Sequence, residues 1–214
     1  MTPLTHDEFL ILRDKAELIE ADHYGEKVLR LANGDFLKLF RRKRLLSSAA
    51  LYPYAQRFAD NAIALQRLGI KCPQVLNVYR VSAIKRDAVH YLPLPGQTLR
   101  QITEVHTKDQ LYQQLGRFIA QLHASGVYFR SLHLGNIVLT PDGELGLIDI
   151  ADMGIERTPL SKKKCLRNFR HLLRTPSDKN WLLENKSNSF FDSYIGHACL
   201  EWNVRELTQQ LTQG

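Results

Sequence analysis

Pro93-Leu94-Pro95-Gly96 can continue neither a helix nor the interior of a sheet. Both prolines lack a backbone donor, and each drives the residue before it toward extended backbone. The chain must end one element here and begin another, and its pattern changes at the same place. Before the break, Thr5-His6-Asp7-Glu8 reads as a capping box opening a helix to about Glu20. Residues 28–31 and 35–40 flank Asn33-Gly34 as a tight hairpin. Ala55, Phe58, Ala59, Ala62, Ile63 and Leu65 form one apolar stripe, predicting a helix over residues 54–68 that Gly69 ends. Residues 75–84 and 88–92 read as two further strands joined across Lys85-Arg86-Asp87.

After the break the pattern turns helical. Leu111, Leu115, Phe118, Ile119 and Leu122 share one face of a helix over residues 108–124, closed by Gly126. Residues 137–139, the turn Pro141-Asp142-Gly143 and residues 145–148 form a small hairpin, and the chain from Ser161 is mostly helical. The expectation is an α+β protein, strand-rich over residues 1–95 and helical over 96–214, with a ligand cleft between the halves.

At 214 residues the chain can bury a core without disulfides, and no run approaches 18 apolar residues. The N-terminus has no signal-peptide pattern, and Cys72, Cys165 and Cys199 are odd in number and far apart, which predicts reduced thiols in a cytoplasm. The net charge of +7 is concentrated in two stretches. Lys38, Arg41, Arg42, Lys43, Arg44 and Arg57 fall in residues 36–59 with no acid among them. Arg157, Lys162, Lys163, Lys164, Arg167, Arg170 and Arg174 form a second acid-free run. Such runs are either solvated faces or attract an anionic partner. Aromatics are not interleaved as in a base-stacking platform, so nucleic acid fits least well.

The chemistry concentrates in one stretch. Ser131 and Asn136 are five apart, an apolar strand and a turn follow, and the next apolar strand ends in Asp149. An amide and a carboxylate at the two ends of one hairpin suit Mg²⁺, which keeps phosphates and water as its other ligands. Lys38 lies on the strand Phe36-Leu37-Lys38-Leu39-Phe40 of the first half.

In this order and spacing the chain resembles the protein-kinase-like superfamily, whose catalytic loop sets Asp and Asn five apart. More narrowly it is similar to bacterial lipopolysaccharide core kinases and their toluene-tolerance relatives. Leu132-His133-Leu134-Gly135-Asn136 is similar to their catalytic loop, and Gly69-Ile70-Lys71-Cys72-Pro73 resembles the segment after the kinase αC helix. Residues 91–99 resemble the hinge and its following helix, and residues 166–174 the helix after the metal loop. The resemblance implies a two-lobed kinase-like fold, N-lobe 1–95 and C-lobe 96–214, shortened after the metal loop. It implies ATP and Mg²⁺ as cofactors, with Lys38 on phosphate and Asn136 and Asp149 on metal. The implied substrate is an anionic lipopolysaccharide-core saccharide, phosphorylated at the cytoplasmic face of the inner membrane.

The departures from the family pattern open other readings. Ser131 stands at the catalytic Asp position and Phe129 at the preceding His position. A hydroxyl cannot take a proton as a carboxylate does, and general-base catalysis contributes roughly 10² to 10⁴ in rate. His133 either deputises as base or holds loop backbone. No Glu lies between Glu26 and Glu104, so the lysine's acidic partner is missing; Asp60 is expected to face water, leaving Asn61 as a neutral stand-in. Gly25 is the sole glycine of the phosphate loop, and Phe36, on the strand face of Lys38, narrows an adenine pocket. These features leave two readings, a slow or unusual sugar kinase and a pseudokinase scaffold in envelope assembly. A nucleic-acid-associated kinase is the third and weakest. His123 and His171 read as ordinary packed or surface residues.

Overall fold

The computed structural model describes residues 1–42, 52–102, 108–183, 188–201 and 203–212; Lys43 and Arg44 of the first basic run therefore lie outside the described residues. The chain divides into two compact units, Met1–Leu94 with Ile150–Asp152, and Pro95–Asp149 with Met153–Gly214.

The first unit is built on six strands: β1 (Thr2–Pro3), β2 (Glu17–Asp22), β3 (Gly25–Arg30), β4 (Phe36–Arg41), β5 (Gln74–Val81) and β6 (Arg86–Leu92). Their order is β1-β5-β6-β4-β3-β2, antiparallel except for the β1–β5 pair. Strand alternation separates two faces. Leu29, Leu31, Leu37, Leu39, Val81 and Ala88 form a core with Phe9 of helix α1 (His6–Arg13). Helix α2 (Tyr54–Arg67) packs on β4, β5 and β6 and buries Ala55, Phe58, Ala59, Ala62 and Leu65.

Several expectations are corrected here. The Thr5 capping box forms, with Thr5 N–H donating to Glu8 Oε2 at 2.8 Å and Glu8 N–H to Thr5 Oγ1 at 3.3 Å. The helix ends at Arg13 rather than near Glu20, because Lys15 turns to a φ of 58° and residues 17–22 pair with β3. Short helices are marginal in water, and a full strand of ladder bonds outcompetes about seven more residues of helix. Ile63 is 47% exposed and so leaves the apolar stripe. The strand expected over 75–84 stops at Val81; a 3₁₀ turn, Ser82–Ile84, and Lys85 in the left-handed region reverse the chain.

The second unit holds α3 (Lys108–Ala124), α4 (Lys162–Leu172), α5 (Pro176–Leu183), α6 (Ser189–His197) and α7 (Val204–Thr212). Strands β7 (Gln97–Thr98), β9 (Ile137–Leu139) and β10 (Leu145–Leu147) form one small sheet, and β8 (Val127–Phe129) pairs with β11 (Met153–Ile155). Residues 97–98, placed by the resemblance at the start of a helix, are thus a strand paired with β9.

Helices α3 and α6 meet at Gly116. A Cβ built there would lie 2.4 Å from Phe190 O and 2.8 Å from Tyr194 N, which is backbone and cannot yield cheaply. The close approach lets Leu115, Ile119, Leu122, Phe169, Phe190 and Tyr194 bury completely. His123 sits in this core, not at the surface. Its Nε2–H donates to Asn168 Oδ1 at 3.2 Å, the Tyr194 hydroxyl donates to Nδ1 at 2.9 Å, and Asn168 Nδ2 donates to Phe129 O at 2.6 Å. Burial pushes the imidazole down to about 4, against the opposing effect of the hydrogen bond it donates to Asn168.

Two outcomes follow. Gly116→Ala forces the helices apart and should destabilise the fold by about 1–3 kcal/mol, read as a lower urea midpoint. The second concerns pH. Unfolded His123 takes a proton near 6.5, folded His123 only near 4, so the unfolded state binds more protons between those values. Stability contributed by His123 is therefore complete above 6.5 and falls as pH drops, by roughly 3 kcal/mol in total. His123→Gln should flatten the urea midpoint between pH 7 and 4.5 relative to the native chain.

Candidate functional site

The loop between β8 and β9 is shaped by apolar anchors and backbone bonds. Phe129, Leu132, Leu134 and Ile137 are buried, which leaves Arg130 exposed and Ser131, His133 and Gly135 partly exposed between them. Leu132 N–H donates to Phe129 O at 3.2 Å, and Asn136 N–H to His133 O at 2.9 Å, closing a 3₁₀ turn over Leu134–Asn136. The Asn136 side chain is buried, and its Nδ2 donates to Ser131 O at 2.9 Å. That bond turns Oδ1 away as the acceptor end. It also ties Ser131 and Asn136, the five-apart pair, into one rigid turn.

Asp149 is brought to the same end of the hairpin. Ile137 pairs with Leu147, and Ile148 N–H donates to Asn136 O at 3.0 Å. Asp149 follows at once, with a φ of 54° and ψ of 43°. A non-glycine residue in the left-handed region is strained, Asp less than most, and such positions mark functional turns more often than plain ones. Here the conformation ends the strand and exposes the residue. An amide oxygen and one carboxylate are the donor set that a phosphate-bound Mg²⁺ takes from a protein. Among the described residues no cluster of three or more His, Cys, Asp or Glu could cage an ion alone. The residues present therefore fit Mg²⁺ that arrives with phosphates.

Two residues absent from the sequence reading hold this loop from behind. Asp178 on α5 is 1% exposed and binds Arg100 through two bonds of 2.8 Å, Nε to Oδ1 and Nη2 to Oδ2. The same Oδ2 accepts the Leu134 N–H at 3.1 Å, and Arg100 Nη2 also donates to Thr175 Oγ1 at 3.0 Å. No local pattern marks either residue in the sequence, because an acid in an eight-residue helix and an arginine after Leu99 are unremarkable until the fold joins them.

His133 is half-buried beside this pair. Burial first, then the Arg100 cation, lowers its pKa below 6.5, while the Asp178 and Asp149 carboxylates oppose the shift. The imidazole is therefore neutral at pH 7 and can accept a proton. Its Nδ1 is buried and has no hydrogen-bond partner among the described residues. Gly135 makes the packing possible: a Cβ there would lie 3.0 Å from Arg100 Nη1 and 3.2 Å from His133 Nδ1.

In the first unit, Lys38 is buried on β4 between Val28 and Val89, with Nζ 5.8 Å from the Phe40 ring centroid. Phe36 packs on Tyr91 at 5.9 Å, and Tyr91 on Phe58 at 5.2 Å, so the lysine's strand face is rich in aromatics. Asn61 donates from Nδ2 to Ile150 O at 2.7 Å, which ties α2 to the residue after Asp149. Asp60, expected to face water, is half-buried and accepts from Tyr52 Oη at 2.6 Å and Gln56 Nε2 at 2.9 Å. A helix neighbour and a tyrosine reach it because both lie on its side of α2.

Asp178→Ala would leave the buried Leu134 N–H unpaired and the Arg100 guanidinium without its partner. Loss of about 1–3 kcal/mol of stability is expected, read by thermal unfolding, with faster hydrogen exchange at Leu134.

Comparison with known proteins bears on the fold and on the segment that carries this loop. Residues 94–194 match the lipopolysaccharide kinase (Kdo/WaaP) family. A 70-residue segment is 37% identical to 3-deoxy-D-manno-octulosonic acid kinase of Xylella fastidiosa (strain M12), covering 33% of this chain and 27% of that protein. The chain thus aligns with about a quarter of that relative's length. An aminoglycoside-3'-phosphotransferase of type VIII superposes with a TM-score of 0.68 over 97% of both chains at 14% identity. The chain has the protein-kinase-like fold, and its residues 94–194 are similar to the lipopolysaccharide kinase family.

Proposed function

We propose that the chain is an ATP- and Mg²⁺-dependent phosphotransferase acting on a sugar of a lipid-linked, lipopolysaccharide-core saccharide. The observation that carries this reading is the pairing of Asn136 with the residue before Asp149, inside the segment similar to lipopolysaccharide kinases. Asn136 Oδ1 and the Asp149 carboxylate would hold the metal ion. When bound, that ion offsets negative charge on the phosphates. Lys38 contributes a further phosphate contact. In the reaction the sugar hydroxyl oxygen bonds to the γ-phosphorus as the bond to the β–γ bridging oxygen breaks, leaving ADP. Ser131 cannot take the hydroxyl proton; the neutral imidazole of His133 accepts it. Phosphoryl transfer depends chiefly on positioning and charge, so a weak base slows the reaction without abolishing it. The acceptor is drawn from the cytoplasmic surface of the inner membrane, which the chain visits peripherally. No helix among the described residues is long and apolar enough to cross a membrane.

A second reading, a pseudokinase that binds the saccharide without transferring phosphate, is favoured by Ser131 and by the Phe36–Tyr91 packing beside Lys38. One experiment separates the two. Purified core oligosaccharide is incubated with γ-labelled ATP and Mg²⁺, using the native chain, Asp149→Ala and His133→Gln. The kinase reading expects transfer that Asp149→Ala lowers at least 100-fold. It also expects a native rate that is flat from pH 8 to 6.5 and falls below, as His133 gains its proton, with His133→Gln slow and nearly pH-independent. Equal label in the native and Asp149→Ala reactions would establish the scaffold reading instead.

A further inference from the structure

The second basic run is not a uniformly solvated face. Lys164 is taken up by an ion pair with Glu156. Lys163, Arg167, Arg170 and Arg174 recur at intervals of four, three and four, which places them along one exposed side of α4 and its C-terminal turn. Four positive side chains on one stripe repel one another, and no described carboxylate pairs with them. The stripe runs into a groove of about 620 Å³ at the corner between α4 and α5. Arg170, Arg174, Lys179 and Asn180 line it, with Leu173, Pro176 and Leu211 as its apolar part. Among the described residues no acid lines the groove.

From this we propose that the α4–α5 corner is a binding groove for a phosphate-bearing ligand, separate from the loop that carries Asn136 and Asp149. Two guanidinium forks offer bidentate contacts to phosphate oxygens, Lys179 adds a point charge, and the Asn180 amide adds a neutral donor. The volume falls in the range of small-ligand sites, and the leucines and proline suit a sugar face or the first carbons of a lipid. Ligand binding also relieves the repulsion among the cations that the fold places side by side. The corner is mechanically close to the loop's support, since Thr175 and Asp178, which hold Arg100 and Leu134, alternate in sequence with the groove residues Arg174, Pro176 and Lys179. Binding at this corner does not require phosphotransfer and is read directly as affinity.

The test is titration calorimetry of the full chain with glucose 6-phosphate and with pyrophosphate. Co-sedimentation with phosphatidylglycerol vesicles, and with phosphatidylcholine vesicles as control, supplies the lipid arm. The double variant Arg170→Gln/Arg174→Gln removes the groove forks. Lys163→Gln/Arg167→Gln removes the same charge from the same stripe outside the groove. Exposed glutamines leave the ligand-free melting temperature unchanged, which confirms folding. The expected result is a loss of at least tenfold in affinity for the groove variant and less than threefold for the control. Saturation by the soluble phosphates assigns a free phosphorylated ligand, and retention on phosphatidylglycerol vesicles alone assigns a lipid headgroup; either supports the groove. Equal losses in both variants would reduce it to diffuse electrostatics and overturn the proposal, as would the absence of binding to every probe.

Discussion

A carboxylate removed from water has to be answered by partners, and the second unit is arranged around that requirement at Asp178. With 1% exposure, its two oxygens are met by the Arg100 fork and by the Leu134 N–H. A buried charge with one partner missing is destabilising, so these contacts support one another. They join α5, the segment after β7 and the loop after β8, three pieces distant in sequence. The loop then closes on itself through Asn136 Nδ2 and Ser131 O, and the hairpin beyond sets Asp149 beside it. Preorganisation of this kind is what phosphoryl transfer draws on most.

The same loop is supported from a second side by a neutral network. Asn168 donates to Phe129 O, and His123 holds Asn168 by accepting from Tyr194 and donating to Oδ1. A charged anchor and an uncharged one thus meet the loop at opposite ends. Burial keeps the histidine of the neutral network unprotonated until about pH 4.

Much of this was legible in the residues. The Pro-Leu-Pro-Gly break, the α2 stripe, the β9–β10 hairpin and the Ser131, Asn136 and Asp149 spacing all follow from local patterns, because periodicity and turn chemistry act over a few residues. The kinase-like fold was readable from the order of those pieces. The residues that were not legible act across long separations. Arg100 meets Asp178 over 78 positions and His123 meets Tyr194 over 71, and neither pairing leaves a local trace. Strand β2 was misread as helix because its exposed Leu18 and Ile19 carry no alternation and only pairing with β3 makes them a strand.

The span after Asp149 has a consequence for control. Twelve residues separate Asp149 from α4. From Met153 onward, β11 is laddered to β8, Glu156 N–H donates to Gly126 O at 2.9 Å, and Leu160 N–H donates to His123 O at 2.9 Å. A Cβ on Gly126 would meet Glu156 O at 2.4 Å, so even the spacing is set. A segment so stitched has no slack to swing between an ordered and a released state. Any movement of this span would first have to break those ladder and backbone bonds.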